Sequence, residues 1–267
     1  MRLLNLVIVF LCFAVNVFGQ NVNPGPCITA LGMTGVALQE EWSLQSNQAG
    51  LAAIDRPTVA FACQANYINS GIYTQTALFS CPYHVNVFGV SFQNYGFEAY
   101  KLQRVGLAYA RSFGNKLFAS LDFNIHQLTI DRYGTARTWS VEGGVQYKLS
   151  KAVTIGAHVS NPSSNGFELN LNEEIPVVYE LGASVRVSSN VLLNSGIQKI
   201  PRAEDDIRGG VEYRPTDMIA IRGGISCHPF VQYAGFGFYY RSFYLNSAVS
   251  FHPMLGYSPQ ISIGYEF

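Results

Sequence analysis

The sequence predicts an all-β protein: a 14-stranded antiparallel transmembrane β-barrel. Three observations carry that prediction. Apolar and polar residues alternate with period 2 almost to the C-terminus, which is the signature of a strand with two unlike faces. Most alternating segments run about 9–12 residues, the length that crosses a tilted bilayer, where sandwich strands run about 5–6. Short connections also alternate with longer ones, as in outer-membrane barrels. Composition agrees, because charged residues make up only 13% of the 267-residue chain and aromatics another 13%. With 17 basic and 17 acidic side chains the formal charge is zero, so nothing electrostatic favours nucleic acid as a partner.

From the N-terminus, Met1-Arg2 precedes an apolar stretch from Leu3 to Phe18 that Asn5 and Asn16 interrupt. It is too short for a comfortable transmembrane helix and fits a cleaved signal peptide over residues 1–19, with Gln20 as the mature start. Cys12 lacks the small residue before it that a lipoprotein signal wants, so no lipid anchor is expected. Residues 20–56 form the next unit. Alternation stops there, and Ala30–Leu38 is small and apolar, followed by Glu40-Glu41.

The wall is expected over 57–267, with strands near 58–67, 73–82, 85–94, 102–113, 117–130, 138–149 and 152–161, then 176–188, 191–200, 206–214, 218–227, 232–241, 244–252 and 258–267. Short turns follow the even-numbered strands, as at Gly114-Asn115-Lys116, and that end is read as periplasmic. Longer loops follow the odd ones: Tyr95–Lys101, Asp131–Arg137 and, longest, Asn161–Ile175. In the sixth strand Trp139, Val141, Val145 and Tyr147 should face lipid, and Glu142, Gln146 and Lys148 the lumen. The same parity places Asp122, Glu142, Lys148, Glu180, Arg186, Arg208, Glu212 and Arg222 inside. Their near-equal signs indicate compensating ion pairs around a plug, rather than Glu142 and Glu180 acting as acid and base.

The last strand alternates through Ile261, Ile263 and Tyr265 to a terminal Phe267. Ile263, Tyr265 and Phe267 resemble the β-signal that the outer-membrane assembly machinery recognises. Ser226-Cys227-His228-Pro229 recurs as Ser250-Phe251-His252-Pro253, two similar rim corners. His228, His252 and Cys227 could in principle ligate zinc there, but the corners are the plainer reading. No His-x-x-x-His, Gly-x-Ser-x-Gly or Cys-x-x-Cys occurs, so no catalytic, cofactor-binding or metal-binding residues are assigned and the chain is not expected to be an enzyme. Cys27, Cys63, Cys81 and Cys227 are expected to be mostly free, buried thiols.

Two stretches of the 20–56 unit, Leu31-Gly32-Met33-x-Gly35 after Ala30 and Asn47-x-Ala49-Gly50-Leu51 before Ala52, resemble the N-terminal plug of the FadL superfamily. They are most similar to its PorV/PorQ-type branch, associated with type IX secretion. That branch usually has Pro where this chain has Gln48, and a longer acidic run than Glu40-Glu41. The resemblance implies a segment lodged in a fourteen-stranded lumen, in the outer membrane of a diderm bacterium. It implies an accessory barrel of protein export, docking another outer-membrane or exported protein. The wider superfamily implies passive transport of a hydrophobic small ligand, with Met33, Val36, Leu38, Trp42 and Leu44 lining an apolar path. The other expected partners are outer-membrane lipid and the assembly machinery.

Overall fold

The computed structural model describes residues 22–167 and 175–267. The expected signal peptide and the middle of the 161–175 loop lie outside the described residues.

Among the described residues, fourteen strands close into one antiparallel barrel in which every strand pairs with its chain neighbours and the first pairs with the last. They are β1 (Thr58–Asn66), β2 (Ile72–Tyr83), β3 (Asn86–Phe97), β4 (Tyr100–Phe113), β5 (Leu117–Ile130), β6 (Gly134–Lys148) and β7 (Val153–Ser160). The second half comprises β8 (Val178–Arg186), β9 (Val191–Lys199), β10 (Asp206–Thr216), β11 (Ile219–Cys227), β12 (Phe230–Tyr240), β13 (Phe243–His252) and β14 (Gly256–Glu266). Closure leaves no unpaired edge, the condition for a sheet to sit in hydrocarbon. At the seam, Phe61 of β1 lies opposite Ile263 of β14, and the Phe267 amide donates to the Pro57 carbonyl at 3.0 Å.

The two faces separate as the alternation demands. Leu121, Phe123 and Ile125 are exposed on the outside, whereas Ser120, Asp122 and Asn124 are buried within. In β6, Trp139, Val145 and Tyr147 are exposed while Glu142 and Gln146 are buried. An apolar belt running right round a closed barrel is a lipid-facing surface.

Two expected loops are instead mostly strand. β3 and β4 stay paired up to Phe97 opposite Tyr100, and β5 and β6 up to Ile130 opposite Gly134. The Tyr95–Lys101 and Asp131–Arg137 stretches are therefore tall hairpins. Beyond the bilayer both faces of a hairpin are wetted, so pairing continues while the alternation that reveals it fades. The two His-Pro corners also differ: Cys227 pairs with Phe230 across a two-residue turn, and His252 pairs with Gly256 across a three-residue one.

Inside the ring, residues 22–54 fold into a short helix, α1 (Pro26–Ala30), and two 3-10 turns, Glu41–Gln45 and Gln48–Ala53. Pro26 opens α1 with a preset φ and no amide to satisfy. The Asn47 side chain caps the second 3-10 turn by accepting from the Ala49 amide at 3.1 Å.

Candidate functional site: the barrel lumen

Close backbone approach seats the N-terminal segment on the wall. A Cβ on Gly210 would sit 2.3 Å from the Leu31 carbonyl oxygen, and one on Gly224 would sit 2.2 Å from the Gly32 nitrogen. Gly210 and Gly224 face each other across β10 and β11, so together they open a gap two strands wide. Gly156 plays the same part beneath the Val36 carbonyl, at 2.2 Å. Gly32 itself, with φ +71, turns the chain in the left-handed region.

The two sequence stretches meet there. A Cβ on Gly35 would strike Ser46 and Ile28, and one on Gly50 would lie 2.2 Å from the Leu38 carbonyl oxygen. Asn47, fully buried, donates to the Val36 carbonyl at 2.7 Å and to the wall carbonyls of Val145 and Ala157 at 3.3 Å. Gln146 reaches in from β6 and donates to Val36 and Leu38 carbonyls at 3.0 and 2.9 Å. Leu31, Ala49 and Leu51 are buried, whereas Met33 is half-buried and its carbonyl faces the Arg208 guanidinium.

The lumen divides into an apolar and a polar sector. Trp42, Leu44 and Leu51 pack with Ile28, Leu38 and Cys27 against Ala60, Ala62, Leu78, Val87, Ala108, Ala110 and Tyr244 of the wall. Leu38, Trp42 and Leu44 thus lie together in this packed apolar cluster. Val36 instead sits over Gly156 and Gly182, apart from that cluster.

The polar sector holds two ion networks. In the first, Asp122 and Glu142 stand directly opposite one another on β5 and β6, a destabilising like-charge pair unless a cation bridges them. Arg104 is that cation, at 2.8 Å from Glu142 and 3.4 Å from Asp122, with a third bond to Asn124 at 2.7 Å. Gln48 of the segment donates to Glu142 at 2.8 Å. His158 lies 3.3 Å from both Glu142 and Glu180, and Glu180 leads to Arg208 at 3.6 Å, which pairs with Asp206 at 2.6 Å. In the second network, Glu212 bridges Arg222 and Arg214, each at 2.7 Å, and Arg222 continues to Asn246 and Tyr239.

Six of the eight expected lumen charges therefore fall in these networks. Lys148 and Arg186 do not: they form no ion pair among the described residues, and Arg186 is exposed at the end of β8. Arg104 escaped the sequence reading, although it shares parity with the inward Ala108 and Ala110. The wall glycines escaped because an inward glycine carries no polarity to mark it.

Within the segment, burial raises the Glu40 carboxyl, and burial together with the neighbouring Glu40 charge pushes Glu41 up to about 8. Burial also pushes up the Cys27 thiol, which donates to Glu40 at 2.9 Å. All four described cysteines are free, but only Cys27 is buried; Cys63 and Cys227 are exposed on the outer face, because their parity matches the lipid-facing residues. His228 contacts the Asp205 carbonyl, and the His252 ring accepts from its own turn amides, so the two histidines serve separate corners. No cluster able to hold a metal ion occurs among the described residues.

No family model matches the chain, and neither does any curated protein. Solved structures do. The CymD monoaromatic hydrocarbon channel superposes with a TM-score of 0.74 at 12% identity, covering 93% of this chain and 99% of that one. The Ralstonia pickettii toluene transporter TbuX gives 0.71 at 14% identity, covering 94% and 100%. A Pseudomonas aeruginosa FadL homologue gives 0.66 at 11% identity, covering 89% and 96%. The fold is that of FadL-type channels. At these identities the likeness establishes fold alone. Two of these neighbours are named a monoaromatic hydrocarbon channel and a toluene transporter.

Proposed function

We propose that this protein is an outer-membrane channel of the FadL type that passes hydrophobic small molecules, with residues 20–56 acting as its plug. The observation that carries this reading is the apolar sector between Trp42, Leu44 and Leu51 and the wall of β1–β4. It sets a packed apolar surface, along which an apolar molecule would pass, beside a polar sector that the segment fills. An aqueous pore would wet both sectors, whereas here the charges of the two networks are paired with each other and Glu142 is bonded to the segment. The neighbours' own names, a monoaromatic hydrocarbon channel and a toluene transporter, supply the substrate class: small apolar molecules. On this reading a cleaved signal exports the chain, and Ile263, Tyr265 and Phe267 direct its assembly. Isolation from native outer membranes tests the proposal. A solitary barrel carrying an extractable apolar molecule supports it. A stoichiometric protein partner would favour the PorV-type docking role, which rests on the Leu31–Gly35 and Asn47–Leu51 stretches.

A further inference from the structure

The three cations at the ends of β6–β8 stand outside the ion networks, and they converge on one cavity. It measures about 320 Å³ and lies at the end of the barrel where β1 begins and β14 finishes, between the wall and residues 27–40 of the segment. Lys148, Lys151 and Arg186 line its mouth, and none of them has a carboxylate within ion-pairing distance among the described residues. The fourth cation, Arg214, is already paired with Glu212. Glu40, the other acid of the lining, accepts from Cys27 instead. Lys148 lies over the Phe118 ring, 5.0 Å from its centre. In a chain whose total charge is zero, three positive side chains without a carboxylate partner around one hollow are nonetheless a local excess that an anion would neutralise.

The lining is not uniformly polar. Leu31, Leu38 and Leu192 form an apolar floor, and Thr154 and Ser184, paired opposite each other on β7 and β8, add hydroxyl donors beside Lys148. The next residue along that row, Asn194, is buried with neither end of its amide bonded. A bare oxoanion leaves most of such a volume empty, since sites for small organic ligands begin at about 300 Å³.

We propose that this cavity binds a small organic anion, its carboxylate held by Lys148, Lys151 and Arg186 and its apolar body resting on Leu31, Leu38 and Leu192. Such a ligand bridges wall and segment, so its binding fastens the segment in place. Leu31 and Leu38 also belong to the apolar cluster and Leu192 packs against it, so the cavity adjoins that sector, and its affinity for an anion is measured separately from hydrocarbon passage.

Titration calorimetry of the folded full chain in non-ionic detergent tests the proposal, with phenylpropionate as the probe and phenylpropanol and inorganic phosphate as comparisons. One equivalent of phenylpropionate should bind, about tenfold or more tighter than either comparison, and Lys151→Glu with Arg186→Glu should weaken it by a similar factor. Lys151 lies in the β6–β7 turn and Arg186 at the end of β8, both exposed, and heat-modifiable mobility reports whether the variant is folded; Lys151→Gln with Arg186→Gln is the milder pair. The proposal is overturned if phenylpropanol or phosphate binds as tightly as phenylpropionate. It is equally overturned if folded charge-altered variants keep the full affinity.

Discussion

Replacing Gly224 by alanine should release the N-terminal segment while leaving the barrel intact. The added Cβ would lie 2.2 Å from the Gly32 nitrogen, 2.5 Å from the Leu31 carbonyl carbon and 2.7 Å from the Gly32 Cα. Ordinary contact starts at 3.4 Å, so the segment backbone must retreat by at least about 1.2 Å. Retreat breaks the seat, because Gly32 sits in a left-handed turn against the backbone of Gly209 and Ile225 on the same two strands. Overpacking of this kind costs about 1–3 kcal/mol, which shifts docking by about 5- to 150-fold. Gly223→Ala is the internal control, since its Cβ would meet only the Tyr233 carbonyl oxygen at 3.9 Å. Limited proteolysis of the folded protein, followed at residues 22–54, reads the difference. Gly224→Ala should be cut much faster than wild type and Gly223→Ala at the wild-type rate. Equal protection of all three proteins, or equal exposure in both variants, would refute the seating of Leu31-Gly32 in the Gly210–Gly224 gap.

Three further outcomes follow from the lumen and the seam. Arg104→Ala leaves Asp122 and Glu142 facing each other in a buried site, and should cost about 3–5 kcal/mol; thermal unfolding within about 1 kcal/mol of wild type would contradict the bridge. Glu41 keeps its proton in the folded state up to about pH 8 but loses it near 4.3 when unfolded, so the folded state binds more protons across that window. Its stabilising contribution is therefore complete below the lower value and lost as pH rises through the upper one. Cutting of the segment should increase between pH 6 and pH 9, and Glu41→Gln should flatten that rise; cutting that slows with pH would reverse the sign. Deleting Phe267 removes its bond to Pro57 and its ring contact with Tyr265, and should reduce the amount of heat-modifiable barrel in the outer membrane far more than a conservative change in the 161–175 loop. Unchanged levels would count against an assembly role for the terminal residue.

The wall was legible in the sequence because the membrane imposes two unlike faces on every strand that crosses it. Ile207, Val211 and Tyr213 against Glu212 and Arg208 is a pattern that lipid on one side and ion pairs on the other enforce. Where the wall leaves lipid, at Tyr95–Phe97 and Gly134–Arg137, the constraint lapses and so did the signal. Parity also sorted most lumen charges, but it gives no register. That Asp122 meets Glu142, and that Arg104 must therefore lie between them, depends on cross-strand alignment that only the folded barrel supplies. The segment was visible as a break in alternation. Its seat was not, because Gly156, Gly210 and Gly224 act through missing atoms.

Passage of small apolar molecules through this barrel has a direct readout. Uptake of radiolabelled toluene by intact diderm cells, whose outer leaflet slows such molecules, tests it most directly. Cells carrying the full chain should take up toluene several-fold faster than cells without it, and Leu44→Lys with Leu51→Lys, which places two charges in the apolar sector, should abolish the gain. Uptake that is no faster with the full chain assembled in the outer membrane than without it would show that toluene does not pass through the barrel.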